Sequence, residues 1–113
     1  MEAKATAKYI RSGAQKARLV ADQVRGKMVG DALALLDYSV KKGVARDIAK
    51  VIKSAAANVE SKHPDENVDA EDLRVKEIFI DEGPSFSRFR ARAQGRVGRI
   101  VKRMCHITVK VSN

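Results

Sequence analysis

The chain contains one cysteine, no run of 18 apolar residues, and no acid anywhere in its last thirty positions. The lone Cys105 excludes an intramolecular disulfide framework and cannot build a cysteine-based zinc site without a second chain. It reads instead as a small buried residue. The missing apolar run excludes a membrane-spanning helix, which needs about 20 such residues. The start, Met1-Glu2-Ala3-Lys4, has no apolar signal region, so the expectation is a cytosolic protein with no membrane partner. P-loop, dinucleotide and EF-hand patterns are absent, and no cofactor or metal is expected. Neither an internal repeat nor a Pro/Ser/Gly-rich linker divides the chain, and residues 1–113 read as one domain with a modest core.

What is abundant is positive charge: 23 Lys and Arg against 14 Asp and Glu, a formal charge of +9. Such a balance points to a polyanion, most commonly nucleic acid. The distribution says more than the total. Residues 1–30 carry +5, residues 31–83 carry −4, and residues 84–113 carry +8 without one acid. Solvated surfaces normally mix signs, because like charges repel, so an acid-free stretch of this length implies an external counter-charge.

Weak alternation over residues 3–11 predicts a strand, with Ala5, Ala7 and Tyr9 on one side and Thr6, Lys8 and Ile10 on the other. Ser12 followed by Gln15 fits a capping box. Ala17, Val20, Ala21 and Val24 then recur at helical spacing, which predicts a helix over about 14–25 with Gly26 as its stop. A short helix is expected over about 30–40, with Asp31 near its start and Leu33, Leu36 and Val40 on one stripe. The clearest amphipathic pattern follows: Val44, Ile48, Val51, Ile52, Ala55 and Val59 share one face over about 44–61. His63-Pro64-Asp65-Glu66-Asn67 breaks it, and with the acids through Asp72 reads as a solvated loop. From Leu73 to Asp81 a strand is expected, with Val75 and Phe79 sharing a face. A second strand is expected from Ile100 to Val111, pairing with it and turning Val101, Cys105, Ile107, Val109 and Val111 one way.

Between those strands, Ser85 to Arg99 holds Arg88, Arg90, Arg92, Arg96 and Arg99 and no lysine, with Lys102 and Arg103 close behind. Arginine's planar fork pairs two phosphate oxygens and stacks on bases, whereas lysine offers a point charge. Phe86 and Phe89 add flat apolar faces, and Gly95 lets the backbone approach a ligand. The segment therefore reads as an RNA-binding arm formed by extending the two strands. The plainer alternative is a disordered basic loop. A second basic group, Lys8, Arg11, Lys16, Arg18, Arg25 and Lys27, surrounds the first helix and with Ser12 offers a phosphate site on the core. Ordinary solvated charge is the competing reading for each. His63 and His106 have no spaced carboxylate or second histidine for nucleophilic or metal chemistry. His106 can still donate to RNA from the polar strand face.

At these residues the sequence resembles a known family. The run Ser12-Gly13-Ala14-Gln15-Lys16-Ala17-Arg18-Leu19-Val20-Ala21-Asp22-Gln23-Val24-Arg25-Gly26-Lys27, the stretch Ser54-Ala55-Ala56-Ala57-Asn58, Ile80-Asp81-Glu82-Gly83-Pro84, Arg92-Ala93-Gln94-Gly95-Arg96 and His106-Ile107-Thr108-Val109 together look like the bacterial-type large-subunit ribosomal protein L-twenty-two. The match spans almost the whole chain in order.

The resemblance implies an α+β fold, three helices packed on a small three-stranded antiparallel sheet, with a long protruding β-hairpin over about 82–103. It implies a non-enzymatic constituent of the large ribosomal subunit, bacterial or organellar, that binds ribosomal RNA early in assembly beside neighbouring ribosomal proteins. The hairpin tip, Arg88, Phe89, Arg90, Ala91, Arg92 and Ala93, would line the nascent-peptide exit tunnel. Arg96, Arg99, Lys102 and Arg103 would follow the arm through RNA. Ala91 stands where many members of the family carry proline. Two other readings are a free-standing RNA-binding regulator and a small RNA-processing enzyme; the second needs a general acid or base that the sequence does not supply.

Overall fold

The computed structural model describes residues 2–62, 72–91, 93–95 and 97–113. Strand β1 (Glu2–Ile10) leads into helices α1 (Ala14–Val24), α2 (Val29–Asp37) and α3 (Lys42–Lys62), followed by β2 (Arg74–Glu82), β3 (Phe86–Ala91), β4 (Val97–Lys102) and β5 (Cys105–Ser112). The last strand is central in an antiparallel sheet of order β1-β5-β2, while β3 and β4 pair only with each other. This is the expected α+β arrangement of three helices on a three-stranded antiparallel sheet.

Burial along β5 alternates strictly: Cys105, Ile107, Val109 and Val111 are buried, and His106, Thr108, Lys110 and Ser112 are half-buried. A period of two places one whole set against the helices. From above, α3 supplies Ala45, Ile48, Val51, Ile52, Ala55, Ala56 and Val59, and α1 supplies Ala14, Ala17, Val20, Ala21 and Val24. The many alanines let these helices sit close to one another and to the sheet. No polar or charged side chain is buried among the described residues.

Both edge strands contain a register shift that reverses the side-chain alternation. In β2 it falls between Val75 and Glu77, so Val75, Ile78 and Ile80 all reach the core while Phe79 turns outward, 43 % exposed. The expected pairing of Val75 with Phe79 on one face fails because one extra residue flips every later side chain. In β1 the shift lies between Ala7 and Ile10, and Tyr9 has φ 59°. Ile10 therefore joins Ala5 and Ala7 against the core, and Tyr9 is exposed.

Other sequence expectations meet local geometry. Gly26, at φ 80°, takes the left-handed position after α1, as its role as a stop requires. The capping box does not form: Gly13 is the N-cap, and the Ser12 hydroxyl donates to the Gly13 carbonyl at 3.4 Å. Val40 lies past the end of α2 and is exposed, since the helix stops at Asp37 before the stripe reaches it. The strand expected from Ile100 to Val111 is two strands, broken at Arg103-Met104; Val101, on β4, is exposed rather than buried. The breaker segment beginning at His63 lies outside the described residues, except for its last acid, Asp72, which is exposed.

Six residue pairs join β3 to β4, from Phe86 with Lys102 to Ala91 with Val97, about 20 Å of ladder at ~3.4 Å per residue. At the turn, Gln94 and Gly95 adopt φ 63° and 72°. The whole chain measures 66 × 25 × 15 Å, with a radius of gyration of 17.2 Å, against about 13 Å for a compact chain of this length.

Candidate nucleic-acid interface

The basic residues divide by what holds them. Arg18 on α1 and Arg25 at its C-cap lie beside β2, whose outer edge would otherwise present unpaired carbonyls. Arg18 donates twice to the Ile80 carbonyl, at 3.3 and 2.9 Å, and Arg25 donates to the Ile78 carbonyl at 2.8 Å. Arg25 also pairs with Asp22 at 2.6 Å. Further along this edge, Gly26 donates to Val75, Val75 to Lys27, and Val29 to Leu73. These two guanidiniums thus close the sheet edge, although the sequence grouped them with the RNA-facing cations. Lys76 pairs with Glu2, and Lys110 lies 4.0 Å from Glu77, so the open face of the sheet balances part of its own charge. The Lys76 hydrogen bond and charge hold the Glu2 carboxyl below its ordinary range, and Glu2 raises Lys76 in turn.

A different group has no such partners. Arg11, Lys16, Lys102 and Arg103 make no ion pair among the described residues, and all four line one cleft of about 600 Å³. Arg11 and Lys16 flank the turn from β1 into α1. Lys102 ends β4, and Arg103 occupies the break before β5. The fold thus joins two basic groups that are 86 to 92 residues apart in sequence. Ser12 and Gly13 also line the cleft, and Phe86, Val101 and Met104 supply its apolar surface. Phe86 stood out in the sequence as a flat face beside arginines. Val101 and Met104 did not, because an unbroken strand would have sent Val101 to the core.

At the same junction, Gly83 donates to the Met104 carbonyl at 2.9 Å. A Cβ on Gly83 would stand 3.2 Å from His106 Cε1 and 3.3 Å from both His106 Nε2 and the Met104 carbonyl oxygen. Glycine permits the strands to approach this closely where the hairpin leaves the sheet. The Tyr9 amide donates to His106 Nδ1 at 3.1 Å, and the two rings meet edge to face with centroids 5.1 Å apart. That bond makes Nδ1 an acceptor and assigns the proton of the neutral ring to Nε2.

On the hairpin, Arg99 donates from Nε and a terminal nitrogen to the neutral Ser87 hydroxyl, at 3.1 and 2.8 Å, and makes no ion pair among the described residues. Phe89 is 76 % exposed. Arg88, Arg90 and Ala91 lie on β3 by their backbone pairing, and Ala93 opens the turn. Arg92 and Arg96 lie outside the described residues. Lys8 is exposed on β1, and Lys27 is exposed just past α1. Cys105 is buried, and burial, with Asp47 adding to it, pushes its thiol up, away from nucleophilic or metal-binding thiolate chemistry.

The sequence that builds this fold matches the family described as Ribosomal protein L22p/L17e over residues 5–112. The chain belongs to that family. A curated relative, the large ribosomal subunit protein uL22 of Syntrophus aciditrophicus (strain SB), is 59% identical over 109 residues, covering 96% of each chain. Family membership makes the chain a ribosomal, structural protein rather than an enzyme. No helix among the described residues is long and apolar enough to cross a membrane.

Proposed function

We propose that this chain is a structural constituent of the large ribosomal subunit that binds ribosomal RNA through its hairpin and the cleft at the hairpin's root. One observation carries the reading: four cations that make no ion pair among the described residues, Arg11, Lys16, Lys102 and Arg103, line one cleft where the core meets a hairpin whose sequence holds no acid from residue 84 onward. A surface of one sign is stable when an external polyanion neutralises it, and binding then releases counterions from the RNA. The mechanism is charge neutralisation and wedging. Arg11, Lys16, Lys102 and Arg103, with Lys8 and Lys27 nearby in the chain, seat the core on phosphates. The arginines of the hairpin, Arg88, Arg90, Arg92, Arg96 and Arg99, follow RNA outward from it.

Within the same reading, the hairpin projects as a long arm, and its far end, around Arg88 to Ala93, lines the nascent-peptide exit tunnel. The core meets neighbouring ribosomal proteins, and RNA binding supports subunit assembly. The family relationship supports this reading, as does a molecule far longer than a compact chain of its size.

Sucrose-gradient fractionation of lysate containing the tagged chain tests it, comparing the full chain with a deletion of Phe86 to Gly95. The expected result is that both sediment with the large subunit, because the core docks independently of the arm's outer part. A full chain that stays at the top of the gradient overturns the ribosomal reading and leaves a free RNA-binding regulator.

A further inference from the structure

We propose that the cleft at the root of the hairpin is a pocket for a single unstacked RNA nucleotide, with its phosphate among the cations and its base against the apolar lining. This rests on the RNA-binding reading above and specifies what that surface recognises.

The chemistry of the lining selects the ligand. At about 600 Å³, the cleft lies within the roughly 300–1,000 Å³ typical of small-ligand sites. Its lining includes Arg11, Lys16, Lys102 and Arg103, and no acid contributes to it. Phe86, Val101 and Met104 supply its apolar lining; the first two are 44 % and 42 % exposed, a substantial area for a buried-type side chain to leave in water. A ligand that satisfies both parts is anionic at one end and flat and apolar at the other.

Paired RNA does not meet that description, because its bases are stacked inside the helix and it offers a protein mainly phosphates and 2′-hydroxyls. A duplex laid across the cleft would use the cations and leave the apolar lining uncovered. A bulged or looped-out nucleotide presents both a phosphate and a base face. Base stacking on an aromatic side chain tolerates any base, so the pocket recognises an unpaired position rather than a sequence.

The cleft's position gives the pocket a second role. Its walls come from two separately paired units: Arg11 and Lys16 from the core, and Phe86, Val101 and Lys102 from both strands of the hairpin. Outside the strand ladders, Gly83 to Met104 is the one backbone hydrogen bond at this junction among the described residues. A nucleotide held by both walls fixes the direction in which the hairpin leaves the core.

The test measures binding of the purified full chain to two RNA hairpins that differ only in one bulged uridine. Wild type is expected to prefer the bulged RNA by about tenfold, the order that one stacked base contributes. Phe86→Leu, which keeps an apolar but not a flat side chain at an exposed site, is expected to lower that preference with little change in affinity for the paired RNA. Val101→Lys separates the idea from bulk electrostatics, since added charge alone would tighten both RNAs, whereas charge in the apolar lining removes the preference. Lys53→Gln, on the far helix, leaves it intact. With 5-iodouridine at the bulge, photocrosslinks are expected within residues 77–88, 100–102 or 104–110.

Equal, salt-sensitive affinity for both RNAs overturns the pocket while leaving the RNA-binding reading in place. Failure to bind either RNA overturns both. A preference that survives Phe86→Leu and Val101→Lys, or crosslinks confined to other segments, also overturns it.

Discussion

The three-stranded sheet with its helices and the two-stranded hairpin are built from the same kind of strand, yet they treat charge and apolar surface in opposite ways. In the core, several cations are tied into the structure: Arg18 and Arg25 cap β2 carbonyls, and Lys76 meets Glu2. Every large buried side chain belongs to this region. In the hairpin no described side chain is buried, Phe89 is 76 % exposed, and Arg99 meets the neutral Ser87 hydroxyl, with no ion pair among the described residues. A region that supplies its own counter-charges and apolar contacts is stable in isolation. The described residues of the hairpin show no ion pair and no buried apolar side chain, and RNA is the partner proposed to cover them.

The comparison can be broken most severely at the centre of the core. Ile107→Ala empties a fully buried site on the central strand and is expected to cost about 2–5 kcal/mol in denaturant unfolding. RNA affinity per folded molecule should not change; a parallel loss of both would show that core and interface are not separable. Next in size is Arg18→Ala, which removes two hydrogen bonds to the Ile80 carbonyl and is expected to cost about 1 kcal/mol in the same measurement. Its RNA affinity should fall less than that of Arg11→Gln.

Arg11→Gln is the mirror case. Stability should stay within about 0.5 kcal/mol of wild type, since the side chain is exposed. The slope of log affinity against log salt should become shallower by about one. If Arg18→Ala and Arg11→Gln gave the same pair of effects, the division of cations into structural and RNA-facing sets would collapse.

The smallest effect belongs to Glu2 and Lys76. Because Glu2 is lowered in the fold, its contribution is present above the ordinary carboxylate value and lost as pH falls through the depressed one. Lys76 is raised, so its part is present at neutral pH and lost only as pH rises through its elevated value. Both groups are exposed and screened by salt. Thermal melts from about pH 7 to about pH 3 should show only a slight difference in acid sensitivity between wild type and Glu2→Gln.

Helix positions were legible in the sequence because apolar residues at 3.6 spacing must share a face; α1 and α3 begin and end within about two residues of expectation. Strand facing was less legible. The shifts at Val75/Glu77 and Ala7/Ile10 leave no compositional mark, and each reverses the side on which later residues lie. The basic interface was visible as two separate groups, with no signal that they adjoin. Nor did the pattern show that Arg18 and Arg25 spend donors on β2, because a guanidinium reads the same whether it meets a phosphate or a carbonyl.

By itself the sequence determined the α+β class, the amphipathic helices, the acid-free basic segment and the family, since these rest on local periodicity, composition and residue order. Tertiary structure alone decided which cations are held within the fold and which line the cleft. It also decided where Phe86, Val101 and Met104 meet Arg11 and Lys16. Those outcomes depend on strand register and on the break at Arg103-Met104, which bring distant segments together through pairings that no local pattern specifies.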